Sequence, residues 1–176
     1  MKTSVLITGP ESSCTRMVTQ IVCSMRFIGS SGHLQVLDKY IGKSPIVSAE
    51  YVYRQSVPHG GRLPDYKKIR KYFKNNNMDL RTIVVLRNHI PNMISKVERG
   101  HTENKNVNKK LSDEISYIFK NSIYIEPFIV LSASALMLDV DSGIFEIERF
   151  LEKKFTGKKS FIFNSDKKRY EDVHGS

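Results

Sequence analysis

Short runs of branched apolar residues punctuate the chain, and longer segments with helical spacing separate them. Ser4 to Thr8 (SVLIT), Thr82 to Leu86 (TIVVL) and Pro127 to Leu131 (PFIVL) are apolar without strict alternation, the pattern of strands covered on both faces. Ile46 to Tyr53 is a fourth candidate, with Ile46, Val47, Tyr51, Val52 and Tyr53 interrupted by polar positions and the turn-forming Pro58-His59-Gly60-Gly61 beyond it. Thr15 to Phe27 puts Met17, Val18, Ile21, Val22 and Met25 on one face of a 3.6-residue period and stops at Gly29, which predicts an amphipathic helix. Ile144 to Phe155 repeats the pattern with Ile144, Ile147, Phe150 and Leu151, and Asp141 or Ser142 is placed to cap its first amides. Strands alternating with helices predict the α/β class, a parallel sheet flanked by helices on both faces. There is no internal repeat. Asn75 to Asn77 and Asn104 to Lys110 read as solvated loops too short to separate domains, so residues 1–176 are expected to form one domain.

A chain of 176 residues with 40% apolar content can bury one sizeable core. Its formal charge of +10 calls for an anionic partner: nucleic acid, a membrane surface or a multiply phosphorylated small molecule. No apolar run approaches the roughly 20 residues of a membrane span, and Val5-Leu6-Ile7 is too short for a signal peptide core, which predicts a soluble, cytoplasmic protein. Cys14 and Cys23 form neither a disulfide framework nor a zinc motif and are expected to be free thiols. His33, His89, His101 and His174 lack metal-ligand spacing, and Asp139 with Asp141 reads as helix-start capping, so no metal is expected.

The candidate chemistry begins at Gly9-Pro-Glu-Ser-Ser-Cys-Thr-Arg16, between the first strand and the first helix. In an open parallel sheet, ligands settle outside the carboxyl ends of strands, against helix N-termini that carry free amides and partial positive charge. Gly9 permits an abrupt exit from the strand, while the small Ser12, Ser13 and Cys14 let backbone amides close around an anion. Thr15 adds a hydroxyl and Arg16 a charge. The same composition also suits an ordinary strand-to-helix connection with Ser12 or Ser13 as the N-cap. Against the triphosphate fingerprint G-x-x-x-x-G-K-[ST], Cys14 replaces the second glycine, Thr15 the lysine and Arg16 the magnesium-binding hydroxyl. A kinase or ATPase built on this loop would lose groups central to phosphoryl transfer.

A second element, TIVVLRNHIPNMISKVERG from Thr82 to Gly100, has Arg87 at the end of a buried strand and Ser95 eight positions later on the following helix. A guanidinium and a hydroxyl so placed can converge on one oxyanion.

Together these two elements resemble the sulfotransferases that use 3′-phosphoadenosine 5′-phosphosulfate (PAPS). That family carries a 5′-phosphosulfate loop of the kind Lys-Ser-Gly-Thr-Thr after its first strand, with which Glu11-Ser12-Ser13-Cys14-Thr15 lines up. It also carries a strand-Arg-loop-helix-Ser element for the 3′-phosphate, which Arg87 and Ser95 match in type, spacing and order. The strand at Phe128 to Leu131 and the helix at Ile144 to Phe155 are similar to the family's late strand and its helix ending in Phe-Leu.

The resemblance implies a P-loop NTPase-like three-layer sandwich and sulfuryl transfer from PAPS to a hydroxyl or amine on a small molecule or glycan, without metal or nucleic acid. It implies that Ser12, Ser13, Cys14, Thr15 and Arg16 hold the phosphosulfate, and that Arg87 and Ser95 hold the 3′-phosphate. His59 is the expected base, since histidine titrates near neutrality and relatives place a base in that part of the chain; Glu11 and Glu50 are its rivals. The chain departs from the family pattern where Glu11 replaces the loop lysine, leaving Arg16 as the nearest cation for the leaving group, and where Ala133-Ser134 replaces a tyrosine-glutamate pair. Lys167 to Tyr170 could close over the nucleotide as a late basic segment does in some members. Two other readings stand: a divergent P-loop kinase, and a basic nucleic-acid-binding module, although no nucleic-acid-binding signature is present.

Overall fold

The computed structural model describes residues 2–25, 29–31, 50–58, 61–103 and 106–158. Five parallel strands form one sheet in the order β2-β3-β1-β4-β5: β1 (Lys2–Pro10), the three-residue β2 (Gly29–Ser31), β3 (Tyr51–Val57), β4 (Met78–Leu86) and β5 (Phe128–Ser132). The described α-helices are α1 (Thr15–Cys23), α2 (Tyr66–Asn75), α3 (His89–Glu98), α4 (Val107–Lys120), α5 (Ala133–Leu138) and α6 (Val140–Leu151). None of them is long and apolar enough to cross a membrane.

The continuous apolarity of the central strands has the expected cause. Val5 and Ile7 of β1, with Ile83 and Val85 of β4, pack beneath Val18, Ile21 and Val22 of α1 and Ile144, Ile147 and Leu151 of α6. Leu6 and Val84 point the other way, against Tyr66, Ile69 and Phe73 of α2 and Ile118 of α4. Two cores on opposite faces of one sheet make a three-layer α/β sandwich. The third apolar run is less enclosed than its sequence implies, because β5 is an edge strand and Val130 is 45% exposed.

Several boundaries differ from the sequence reading. Polar Arg54, Gln55 and Ser56 lie inside β3, so that strand runs to Val57, whereas residues 46–49 of the predicted strand fall outside the described residues. Strand β4 starts at Met78, four residues before the expected Thr82. Helix α6 begins and ends four residues before the expected Ile144 to Phe155, because the Asp139 carboxylate accepts from the Ser142 amide at 3.0 Å and Glu152 turns left-handed at φ 56°. The cap is therefore Asp139, not Asp141 or Ser142. The supposed loop from Asn104 to Lys110 already contains the first turn of α4, whose inner stripe is Val107, Leu111, Glu114 and Ile118.

At Gly9 the fold demands glycine for space. A β-carbon there would fall on the Val85 carbonyl oxygen of the neighbouring strand and 2.6 Å from Ser13 Oγ. Gly9→Ala must push β1 from β4 or displace the loop, and the expected cost is about 1–3 kcal/mol by urea denaturation, as for other overpacked sites.

Candidate functional site

The direction of the chain changes between β1 and β4: the connection after β1 runs toward β2, and the one after β4 runs toward β5 on the opposite side. In open parallel sheets this switch point leaves a crevice at the strand carboxyl ends. Both sequence motifs lie there. Glu11 is anchored by its amide donating to the Val57 carbonyl at 3.1 Å, and the Ser13 amide donates to the Pro10 carbonyl at 3.1 Å. Ser12 and Cys14 both adopt φ 67°, a conformation that costs a non-glycine residue roughly 1–2 kcal/mol.

Neither serine caps α1. The N-cap residue is Cys14, its side chain makes no capping bond, and the hydroxyls of Ser12 and Ser13 are buried without a partner. Thr15 is buried at the first helical position, with its carbonyl accepting from Thr19 Oγ1 at 2.8 Å. The first amides of a helix have no acceptor within it, so this end presents unused donors and the positive end of the helix dipole. Arg16 is exposed in the first turn. Burial and, less strongly, the Arg16 charge depress the pKa of Arg54 on β3, so two cations share that side of the loop.

Arg87 joins the two motifs. Its Nη1 donates to the Ser12 carbonyl at 2.9 Å, across 75 positions of sequence. The following Asn88 amide donates to Ser134 Oγ at 3.1 Å, which ties this turn to the helix after β5. Helix α3 begins at His89, so Ser95 falls in its second turn. The Ser95 hydroxyl and both polar atoms of the Asn92 amide are fully buried and unpartnered. Unpaired buried polar groups are costly, roughly 1–3 kcal/mol each, and a run of them at one end of a sheet is what a polar ligand would relieve.

No family model matches the chain, and no curated protein matches it.

Beside the loop lies a charged cluster the sequence reading missed. Lys96 on α3 is 0% exposed and its ammonium donates to both carboxylate oxygens of Glu114 on α4, at 2.8 and 2.6 Å. Burial pushes the lysine pKa down and the glutamate pKa up, each partly offset by the other's charge. Lys110 Nζ stands 3.5 Å from Glu11 Oε2 and donates to the His101 carbonyl at 2.6 Å. His101 Nδ1 is 3.6 Å from the same Glu11 oxygen. The basic side chains beside Glu11 are thus those of His101 and Lys110.

A groove of about 320 Å³ opens alongside, lined by Pro58, Leu63, Lys110, Asp113, Glu114 and Tyr117 among others. Glu50 precedes β3 at the opposite, amino-terminal end of the sheet and stands 3.5 Å from Lys153, which removes it as a rival base at this site. His59 and Lys167 to Tyr170 lie outside the described residues. Lys154 pairs with Glu148 at 3.1 Å, so this part of the basic run forms a solvated ion pair. Among the described residues, no group of three or more His, Cys, Asp or Glu is placed to hold a metal ion.

Proposed function

We propose that this chain is a sulfotransferase of P-loop-like architecture that moves the sulfuryl group of PAPS to a hydroxyl or amine acceptor, with a glycan or other small molecule the favoured class. The observation that carries this reading is the Arg87 guanidinium bonded to the Ser12 carbonyl at the switch point, together with the buried, unpartnered hydroxyls of Ser12 and Ser13 in the loop and of Ser95 on α3. Two elements suited to anions, one of amides and one of a guanidinium, meet at the switch point, which supports a ligand with phosphates at both ends of its ribose.

The chemistry asks little else of the protein. Sulfuryl transfer needs an in-line approach, donors that neutralise the sulfate and phosphate oxygens, and a base for the acceptor proton. The amides of Ser12, Cys14 and Thr15 and the hydroxyls of Ser12, Ser13 and Thr15 supply donors to the phosphosulfate. Arg87 and Ser95 hold the 3′-phosphate, which distinguishes PAPS from common adenine nucleotides. Arg16 and Arg54 add positive potential at the mouth of the loop. The adenosine 3′,5′-bisphosphate product carries the same two phosphates and is a stable probe of the site.

Calorimetric titration of the whole chain with adenosine 3′,5′-bisphosphate in chelator is expected to give saturable binding. At 100 times the dissociation constant, the ligand should add about 2.7 kcal/mol to stability. Binding of ATP only with magnesium would instead indicate a kinase. Salt-steep binding of oligonucleotides without bisphosphate binding would indicate a nucleic-acid module.

A further inference from the structure

The residue that departs most from the sulfotransferase pattern is Glu11, a carboxylate where relatives carry a lysine. In this fold it has a histidine beside it. His101 Nδ1 is buried, has no hydrogen-bond partner and stands 3.6 Å from Glu11 Oε2. The His101 side chain is 33% exposed, so with Nδ1 buried its accessible surface lies on the rest of the ring. The backbone on both sides of the ring is fixed: the His101 amide donates to the Lys96 carbonyl at 2.9 Å, and its carbonyl accepts from Lys110. Gly100, at φ 66°, makes the turn that brings the histidine back from the end of α3. Lys110 reaches Glu11 and His101 together and also lines the groove beside α4.

We propose that His101, backed by Glu11, is the base that accepts the acceptor proton, a role the sequence alone had assigned to His59. This rests on the sulfotransferase reading. In the step, the acceptor O–H bond breaks and its proton passes to His101 Nε2. The acceptor oxygen forms the new S–O bond as the bond from sulfur to the bridging oxygen breaks. That electron pair leaves on the 5′-phosphate of adenosine 3′,5′-bisphosphate. Glu11 faces the ring on its Nδ1 side and stabilises the imidazolium that forms, and Lys110 stands 3.5 Å from the same carboxylate oxygen.

The charges around the ring agree with a resting base. Burial depresses the His101 pKa most; Glu11 raises it, and Lys96 of α3, Lys110 of α4 and Arg99 in the turn lower it again. The neutral imidazole therefore persists at lower pH than for a free histidine, ready to accept a proton. The groove of Pro58, Leu63 and Tyr117, with Asp113 and Lys110 on its walls, gives an acceptor with an apolar face and polar substituents a bed next to the cluster.

The test uses PAPS with water as the acceptor, followed as adenosine 3′,5′-bisphosphate release, and in parallel the binding of that bisphosphate. His101→Asn is expected to lower turnover by about 10²- to 10⁴-fold, to flatten the acid limb of the pH profile and to leave bisphosphate affinity within about twofold. Glu11→Gln keeps the ring but removes the charge that raises its pKa, so turnover should fall while the acid limb moves to lower pH. Wild-type turnover with an unchanged rate and profile in His101→Asn overturns the base assignment alone. Wild-type bisphosphate binding without turnover also overturns it, while failure of the wild type to bind bisphosphate at all overturns the sulfotransferase reading beneath it.

Discussion

Lys96→Met is expected to destabilise the protein by about 3–5 kcal/mol, the largest stability loss of any single substitution at this site. The reason is the solitary carboxylate it leaves behind. Glu114 is 3% exposed, and the Lys96 ammonium sits on both its oxygens. Without that partner the carboxyl must stay charged in an apolar surround or take up a proton, and either choice stabilises the unfolded chain relative to the folded one. The intact pair is itself no great source of stability, since burial works against both charged forms. Lys96→Met/Glu114→Leu is accordingly expected to recover most of the loss and to match or exceed the parent in urea denaturation. A double variant as unstable as the single one would mean that the pair itself, rather than the orphaned charge, carries the energy.

Arg87→Ala is expected to weaken adenosine 3′,5′-bisphosphate binding by about 1.5–3 kcal/mol, roughly 10- to 150-fold, because a charge-assisted contact to the 3′-phosphate is lost. Adenosine 5′-monophosphate, which lacks that phosphate, should lose less than about threefold. Arg87→Lys retains the charge without the fork and should fall between the two. Since the Arg87 guanidinium also bonds the Ser12 carbonyl, a second outcome is informative. Equal losses for both nucleotides would show that Arg87 supports the loop rather than the 3′-phosphate, and isothermal titration of the two ligands separates the cases.

The layered sheet was legible because the strands that build it are covered on both sides. Val5-Leu6-Ile7 and Ile83-Val84-Val85 feed opposite cores with successive residues, and no polar position interrupts them. Strand β3 was partly hidden because Arg54, Gln55 and Ser56 occupy its second half, near the cationic mouth of the loop. The hydrogen bond from Arg87 to the Ser12 carbonyl left no such signal, because it joins residues 75 positions apart and engages a main-chain oxygen.

The charged cluster was harder to see, although it left a trace. Asn92, Ser95 and Lys96 lie on one face of α3, where an amphipathic helix would put apolar side chains, and Glu114 takes a place on the stripe of Val107, Leu111 and Ile118. Polar residues in core positions at helical spacing signal either a buried network or a ligand. Reading the start of α4 as solvated loop removed the frame in which Glu114 and Lys110 could be placed. Nothing local in the sequence indicates that His101 faces Glu11, because that contact spans 90 positions and depends on the turn at Gly100.

In the proposed function, the loop after β1 and the arginine after β4 bind the two ends of one nucleotide. A crystal structure of the chain with adenosine 3′,5′-bisphosphate tests it most directly. The 5′-phosphate is expected against the amides of Ser12, Cys14 and Thr15, and the 3′-phosphate within hydrogen-bond reach of Arg87 and Ser95. A nucleotide lodged elsewhere, or a 3′-phosphate turned away from both side chains, would rule this binding mode out.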